Sequence, residues 1–217
     1  HSDTAYFTVS GSDNHLAFSN SSDFNFGSGK FTIEFWIKRD DVTKYETFFR
    51  RANVSDPTRK YWIIDSAGEG SGDDLRFYVN DGSGGSNTWK TYWVMNPAWV
   101  SNVWHHIAIV RNGTGQFDWY CFFDGTSIPM VKHAVAASTH YSFAVPDFDG
   151  DLYVAGKGNA LHGSMTEVRI MKGVALYTSN FPKPTKRFDL ESNELKLLKV
   201  AGKSFYETDK VKSDANT

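Results

Sequence analysis

Residues Gly29-Lys30-Phe31-Thr32-Ile33-Glu34-Phe35-Trp36-Ile37-Lys38 constrain the fold more than any other stretch, because apolar and polar side chains alternate through a full strand length straight after a glycine. A period of two marks a half-buried β-strand. Phe31, Ile33, Phe35 and Ile37 share one face of the pleat, predicted to point into a core, while Thr32, Glu34, Trp36 and Lys38 share the other.

Short apolar runs separated by turn residues repeat this pattern along the 217-residue chain. Strands are predicted at 6–9, 16–18, 31–38, 46–51, 60–65, 75–80, 88–95, 103–112, 117–124, 130–136, 152–156 and 165–171, with a last one at 194–200. Long amphipathic helical patterns are absent, so very little helix is expected. The spacing of strands and turns favours two packed antiparallel sheets. Seven Trp, ten Tyr and seventeen Phe suit such strands. A β-sandwich of this length is ordinary as one domain, predicted here over 1–207 with a polar tail at 208–217.

The formal charge of −2 removes the basic footprint of a general nucleic-acid binder. No stretch approaches the length and apolarity of a membrane span. Cys121, the one cysteine, forbids an intrachain disulfide and reads as a small buried hydrophobe between Tyr120 and Phe122. The lack of bridges tilts the source toward a microbial or viral protein.

Three segments together resemble the concanavalin A-like jelly rolls, in particular the laminin G-like and pentraxin-like sandwiches. The first is the Gly29–Lys38 strand, where a glycine precedes Phe-Thr-hydrophobic-Glu and a Trp follows. The second is Trp104-His105-His106-Ile107-Ala108, followed by a strand ending in Asp124-Gly125. The third is Leu152 to Gly156, then Gly163 and Glu167-Val168-Arg169-Ile170. Its continuation, Gly173-Val174-Ala175-Leu176-Tyr177-Thr178-Ser179-Asn180-Phe181-Pro182-Lys183-Pro184-Thr185, is similar to the version found in phage tail and virion-associated proteins. The resemblance implies an all-β jelly-roll sandwich of two antiparallel sheets and a protein that binds glycans or other proteins.

The same fold hosts glucanases, which implies a test for paired carboxylates. Retaining hydrolysis needs two carboxyl groups about 5 Å apart, and the Glu-x-Asp-x-x-Glu run of that branch does not occur. Glu167 stands two residues from Arg169, predicted to share a strand face as a surface ion pair. His105 and His106 point to opposite faces of a strand and read as structural. The expectation is therefore a non-catalytic chain.

Asp147, Asp149 and Asp151 alternate beside Gly150, and carboxylates so spaced could wrap calcium, with backbone carbonyls and water completing its six to eight oxygens. The same residues also describe a solvated acidic turn. Trp89, Tyr92 and Trp93, beside the glycine-serine loop, could stack on sugar rings while Asn80, Asp81 and Asn87 bond the hydroxyls. Trp89 and Trp93 share one pleat face and Tyr92 the other, so one set is expected in the core. The leading expectation is a multivalent, virion-borne or extracellular recognition domain whose partner is a glycan or a virion protein. The alternatives are a carbohydrate-binding module of a secreted bacterial enzyme or adhesin, and a hydrolase or lyase of the same fold.

Overall fold

A computed structural model describes residues 7–9, 15–53, 60–66, 73–82, 89–132, 142–185, 199–200 and 203–204, with side chains for 15–53, 60–66, 73–82, 93–132 and 142–185. The predicted alternation becomes strands β1 (Phe7–Val9), β2 (Leu16–Phe18), β3 (Phe31–Arg39), β4 (Glu46–Ala52), β5 (Tyr61–Ser66), β6 (Leu75–Asn80) and β7 (Trp89–Met95) in the first part of the chain. There follow β8 (Trp104–Arg111), β9 (Trp119–Phe123), β10 (Thr126–Ile128), β11 (Val131–Lys132), β12 (Asp151–Val154), β13 (Gly163–Lys172), β14 (Lys199–Val200) and β15 (Lys203–Ser204). The only helical pieces among the described residues are 3-10 turns at Ser22–Phe24 and Gln116–Asp118.

Two antiparallel sheets form a jelly-roll sandwich. One runs β1-β13-β3-β8-β9-β10 and the other β11-β7-β6-β5-β4-β12-β2. Phe31, Ile33, Phe35 and Ile37 all point inward with no exposed surface, as their alternation predicts. Opposite them stand Phe49, Trp62, Ile64, Phe77, Val79 and Trp93 from the second sheet. A register shift between Thr47 and Phe49 in β4 lets the neighbouring Phe48 and Phe49 both reach Phe35, at ring distances of 6.2 and 5.0 Å. Cys121 is wholly buried, and burial pushes its thiol up, so it behaves as a hydrophobe.

The other face of β3 is also buried, which alternation alone does not predict. Residues 173–183 cross it as an extended strap. Gly173 N donates to Lys30 O, Thr32 Oγ1 donates to Val174 O and accepts from Leu176 N, and Phe181 N donates to Gly125 O. Tyr177 and Phe181 stack 3.8 Å apart and pack with Phe122 over Ala108 and Val110, making a second small core outside the sandwich. Beneath them Glu34, fully buried, is held by Arg169, by His106 Nε2 at 3.1 Å and by the Tyr177 hydroxyl at 3.0 Å.

One expectation is corrected here. A bulge between Thr166 and Arg169, with Glu167 at φ 48, breaks the alternation of β13, so Arg169 stands opposite Glu34 in register and pairs with it rather than with Glu167. The last strand does not join either large sheet in the described residues. Lys199–Val200 pairs with Lys203–Ser204 in a separate two-stranded ladder, and 194–198 lies outside the described residues, as does the 208–217 tail.

Replacing Phe35 by Ala is expected to cost about 3–5 kcal/mol in denaturant unfolding, as for large aromatic deletions in packed cores; an unmoved midpoint would place Phe35 outside the core. Gly125 sits at φ +81, and a Cβ there would lie 2.1 Å from Phe181 O. Gly125→Ala is therefore expected to destabilise by about 2 kcal/mol and to open the strap to limited proteolysis within 173–183.

Candidate functional site

The aromatic cluster beside the glycine-serine loop divides between core and surroundings. Trp93, 3% exposed, pairs in register with Phe77, and its ring lies 5.9 Å from that of Trp119. It is a core residue. A register shift between Val79 and Asn80 sets Trp89 opposite Asn80 and Thr91 opposite Val79, so the period of two does not carry from Trp89 to Trp93. The side chains of Trp89 and Tyr92 and the whole of Asn87 lie outside the described residues. Asn80 is fully buried and its Oδ1 accepts from Gly82 N at 2.7 Å, capping the turn that contains half-buried Asp81.

At the rim, Asp147 and Asp149 lie near a buried cation that belongs to the protein itself, Arg51. Arg51 points inward from β4 and is fully buried. Its Nη1 donates to Phe24 O at 2.8 Å and to Asn25 Oδ1, its Nη2 to Phe148 O at 2.7 Å and to Asn20 Oδ1 at 3.0 Å, and its Nε to Gly150 O at 3.2 Å. Burial pushes the guanidinium down to about 10, and the charges of Asp147 and Asp149 oppose that shift. Asn20 completes the rim, donating from Nδ2 to Asp149 Oδ1 at 2.9 Å and from its backbone to Asp151 Oδ1 at 3.0 Å. Gly150 is needed for close approach, since a Cβ there would lie 2.7 Å from Ala52 C.

Two backbone carbonyls of the acidic run are already taken up inside the protein. A calcium shell draws its oxygens from carboxylates, carbonyls and water, and here Phe148 O and Gly150 O turn inward to Arg51. Among the described residues no three His, Cys, Asp or Glu side chains gather closely enough to hold a metal ion. Arg51 sets a positive charge close to Asp147 and Asp149.

The outer face of the seven-stranded sheet brings together side chains that the sequence reading did not single out. Tyr153, Arg50, Ile63 and Tyr78 stand side by side in register across β12, β4, β5 and β6. On one flank lies Tyr61, half-buried and edge-on to Tyr78 at 6.0 Å. On the other, buried Asp65 accepts from Arg76 Nε at 2.7 Å and Nη2 at 2.8 Å, from Tyr78 at 2.8 Å and from Tyr45 at 3.1 Å. Burial and then the Asp65 charge push both tyrosine hydroxyls up, keeping them protonated donors. Tyr45 is 47% exposed, and the Arg76 guanidinium lies 5.3 Å over its ring. A polar and aromatic period of two in β5 (Tyr61, Ile63, Asp65) and β6 (Arg76, Tyr78) was the available signal; the register that joins them depends on the hairpin pairing.

Among the described residues each deeply buried carboxylate already has a cation. Glu34 holds Arg169, Asp65 holds Arg76, and Glu46 holds Arg39 at 2.7 Å while also accepting from His162 N at 2.7 Å. Burial pushes the Glu46 carboxyl up against the pull of Arg39. His105 and His106 face opposite sides as expected: His105 Nδ1 meets Asp124 at 2.9 Å and its ring stacks on Phe123, while His106 meets Glu34.

Residues 10–176 match the family profile of the concanavalin A-like lectin/glucanases superfamily. No curated protein matches the chain by sequence. Among solved structures, the fold is similar to that of a Bacteroides ovatus protein provisionally described as carbohydrate binding, with TM-score 0.55 and 16% identity over 91% of this chain and 52% of that one. It is also similar to domains LG4-5 of the mouse laminin alpha1 chain, with TM-score 0.51 and 16% identity over 84% of this chain and 48% of that one. The heptameric SAP-like pentraxin of Limulus polyphemus matches with TM-score 0.50 and 12% identity over 81% and 79%. The chain thus spans about half the length of the first two. At these identities the likeness is one of fold. No helix among the described residues is long and apolar enough to cross a membrane.

Arg51→Met is expected to cost at least about 3 kcal/mol, since it strands several buried acceptors at once. The wild-type melting temperature is expected to be the same in chelator and in millimolar calcium. A rise that grows with calcium would show the Asp147, Asp149 and Asp151 carboxylates regrouping around an ion.

Proposed function

We propose that this chain, which belongs to the concanavalin A-like lectin/glucanases superfamily, is a non-catalytic glycan-binding domain that takes its ligand on the outer face of the seven-stranded sheet. The observation that carries the reading is the contrast between the two outer faces. On the six-stranded sheet the strap 173–183 covers the surface with Tyr177 and Phe181. The seven-stranded sheet has no counterpart of that strap among the described residues, and it carries half-buried Tyr61, Arg50 and Arg76 beside the buried ring of Tyr78 in adjoining registers. Rings that bury sugar C–H faces, set among fixed hydrogen-bond donors, are what a glycan site requires. The provisional description of the Bacteroides ovatus protein as carbohydrate binding agrees with this reading.

The non-catalytic part rests on the buried carboxylates, since Glu34, Glu46 and Asp65 each neutralise an arginine. A carboxylate so committed is a poor nucleophile or proton donor. A module of a secreted enzyme or adhesin suits this reading better than a virion protein, because the Gly173–Thr185 stretch behind the virion resemblance is used for packing over β3. Shallow single sites bind weakly, so adhesion would gain from several linked copies.

The test is a glycan array with wild type and Tyr61→Ala, displayed singly and clustered on beads. We expect retention of a subset of glycans, an increase on clustering, and a loss of about tenfold or more in Tyr61→Ala. Retention of no glycan, or full binding by Tyr61→Ala, would overturn the site; new reducing ends after incubation with polysaccharide would overturn the non-catalytic assignment.

A further inference from the structure

Resting on the glycan-binding reading, we propose that the outer-face site selects sugars carrying an anionic substituent, a carboxylate or a sulfate, and that Arg50 is the residue that contacts it. Arg50 is half-buried in mid-sheet, between Tyr153 on β12 and Ile63 on β5. Its one hydrogen bond among the described residues is a long contact of 3.4 Å from Nη1 to Lys157 O. Its Nε is buried and has no partner.

Among the described residues the other buried guanidiniums are committed, Arg39 to Glu46 included. Arg76 and Arg169 hold carboxylates, while Arg51 and Arg111 are fastened to backbone carbonyls. A buried N–H donor without an acceptor is costly, and few survive in folded proteins. At Arg50 the missing acceptor arrives with the ligand.

The loop after β12 adds a second cation. It passes through Ala155 at φ 63, Lys157 at φ 73 and Gly158 at φ 109, left-handed conformations that the two non-glycine residues rarely adopt. These turns present Lys157 O to Arg50 and set Lys157 Nζ 5.1 Å over the ring of Tyr153. Tyr153 is thereby flanked by Arg50 in register and by Lys157 above its ring.

Asp151 opposes this charge, since burial and then the Asp151 carboxylate push the Tyr153 hydroxyl up while Arg50 pulls it down, but the other nearby acid is spent. Asp65, two residues along β5 from Ile63, is saturated by Arg76 and two tyrosines. Asp151 is exposed one row away and gives an oxygen to Asn20 N. The chain as a whole carries −2, so a general attraction for polyanions is absent and the preference must be local. A planar guanidinium matches carboxylate and sulfate geometry better than an ammonium does.

The experiment measures equilibrium binding to two matched pairs, oligogalacturonate against its methyl ester and dextran sulfate against dextran, at low and physiological salt. Wild type is expected to favour the charged member of at least one pair by about tenfold; the pair that shows the preference separates carboxylate from sulfate. Arg50→Gln should abolish that preference, Arg50→Lys should keep only part of it, and both should melt close to wild type because the one internal hydrogen bond of Arg50 is the long contact to Lys157 O. Equal binding to both members of each pair, or a preference that survives Arg50→Gln, overturns the proposal. In that case, Tyr61-dependent retention of neutral glycans on the array leaves the glycan-binding reading standing, whereas no retention there removes both.

Discussion

Glu34 carries a carboxylate into a fully buried place, and much of the fold follows from keeping it there. A buried charge without a partner is too costly to persist, so the carboxylate must be paired and its lone pairs filled. Arg169 reaches it only because β13 is bulged: without the extra residue Val168 would stand opposite Glu34. Tyr177 reaches it only because the strap crosses β3. The left-handed backbone at Glu167, the path of 173–183 and the burial of His106 all meet at this one group.

The rim and the opposite sheet are built on the same electrostatic rule with different partners. Arg51 is a buried cation whose hydrogen bonds go to neutral acceptors, so its balancing charge comes from Asp147 and Asp149 at the rim. Asp65 is a buried anion whose arginine and one tyrosine come from the neighbouring strand of the sheet, while Tyr45 reaches it from just before β4. Arg51 thus organises loops contributed by residues 20–25 and 147–151, whereas Asp65 stiffens a surface.

Those differences divide the labour between the faces. The six-stranded sheet spends its outer surface on a second small core under Tyr177 and Phe181. The seven-stranded sheet keeps polar groups and rings side by side, with Asp65 fixing Arg76 and Tyr78 while Arg50 stays uncommitted. Fixed donors beside rings reduce the ordering cost of binding a flexible sugar. A rigid framework around one uncommitted guanidinium is a reasonable basis for choosing among sugars that differ by a single charge.

The sequence by itself determined the sandwich. Phe31, Ile33, Phe35 and Ile37 declare an inner face through a period that depends only on local backbone geometry, and the same logic placed most strands within a residue or two. It also separated His105 from His106 and marked Cys121 as core. What the period could not carry was register across a bulge. A single inserted residue in β13 moved Arg169 from Glu167 to Glu34, and one in β7 ended the alternation from Trp89 to Trp93. Nor could spacing say what an acidic run faces, because Arg51 lies far from Asp147 in sequence and beneath it only after folding. The tertiary structure alone decided which face the strap closes, which charges are spent on each other, and that Arg50 is left with an unfilled donor. These are properties of contacts between distant residues, and no local pattern records them.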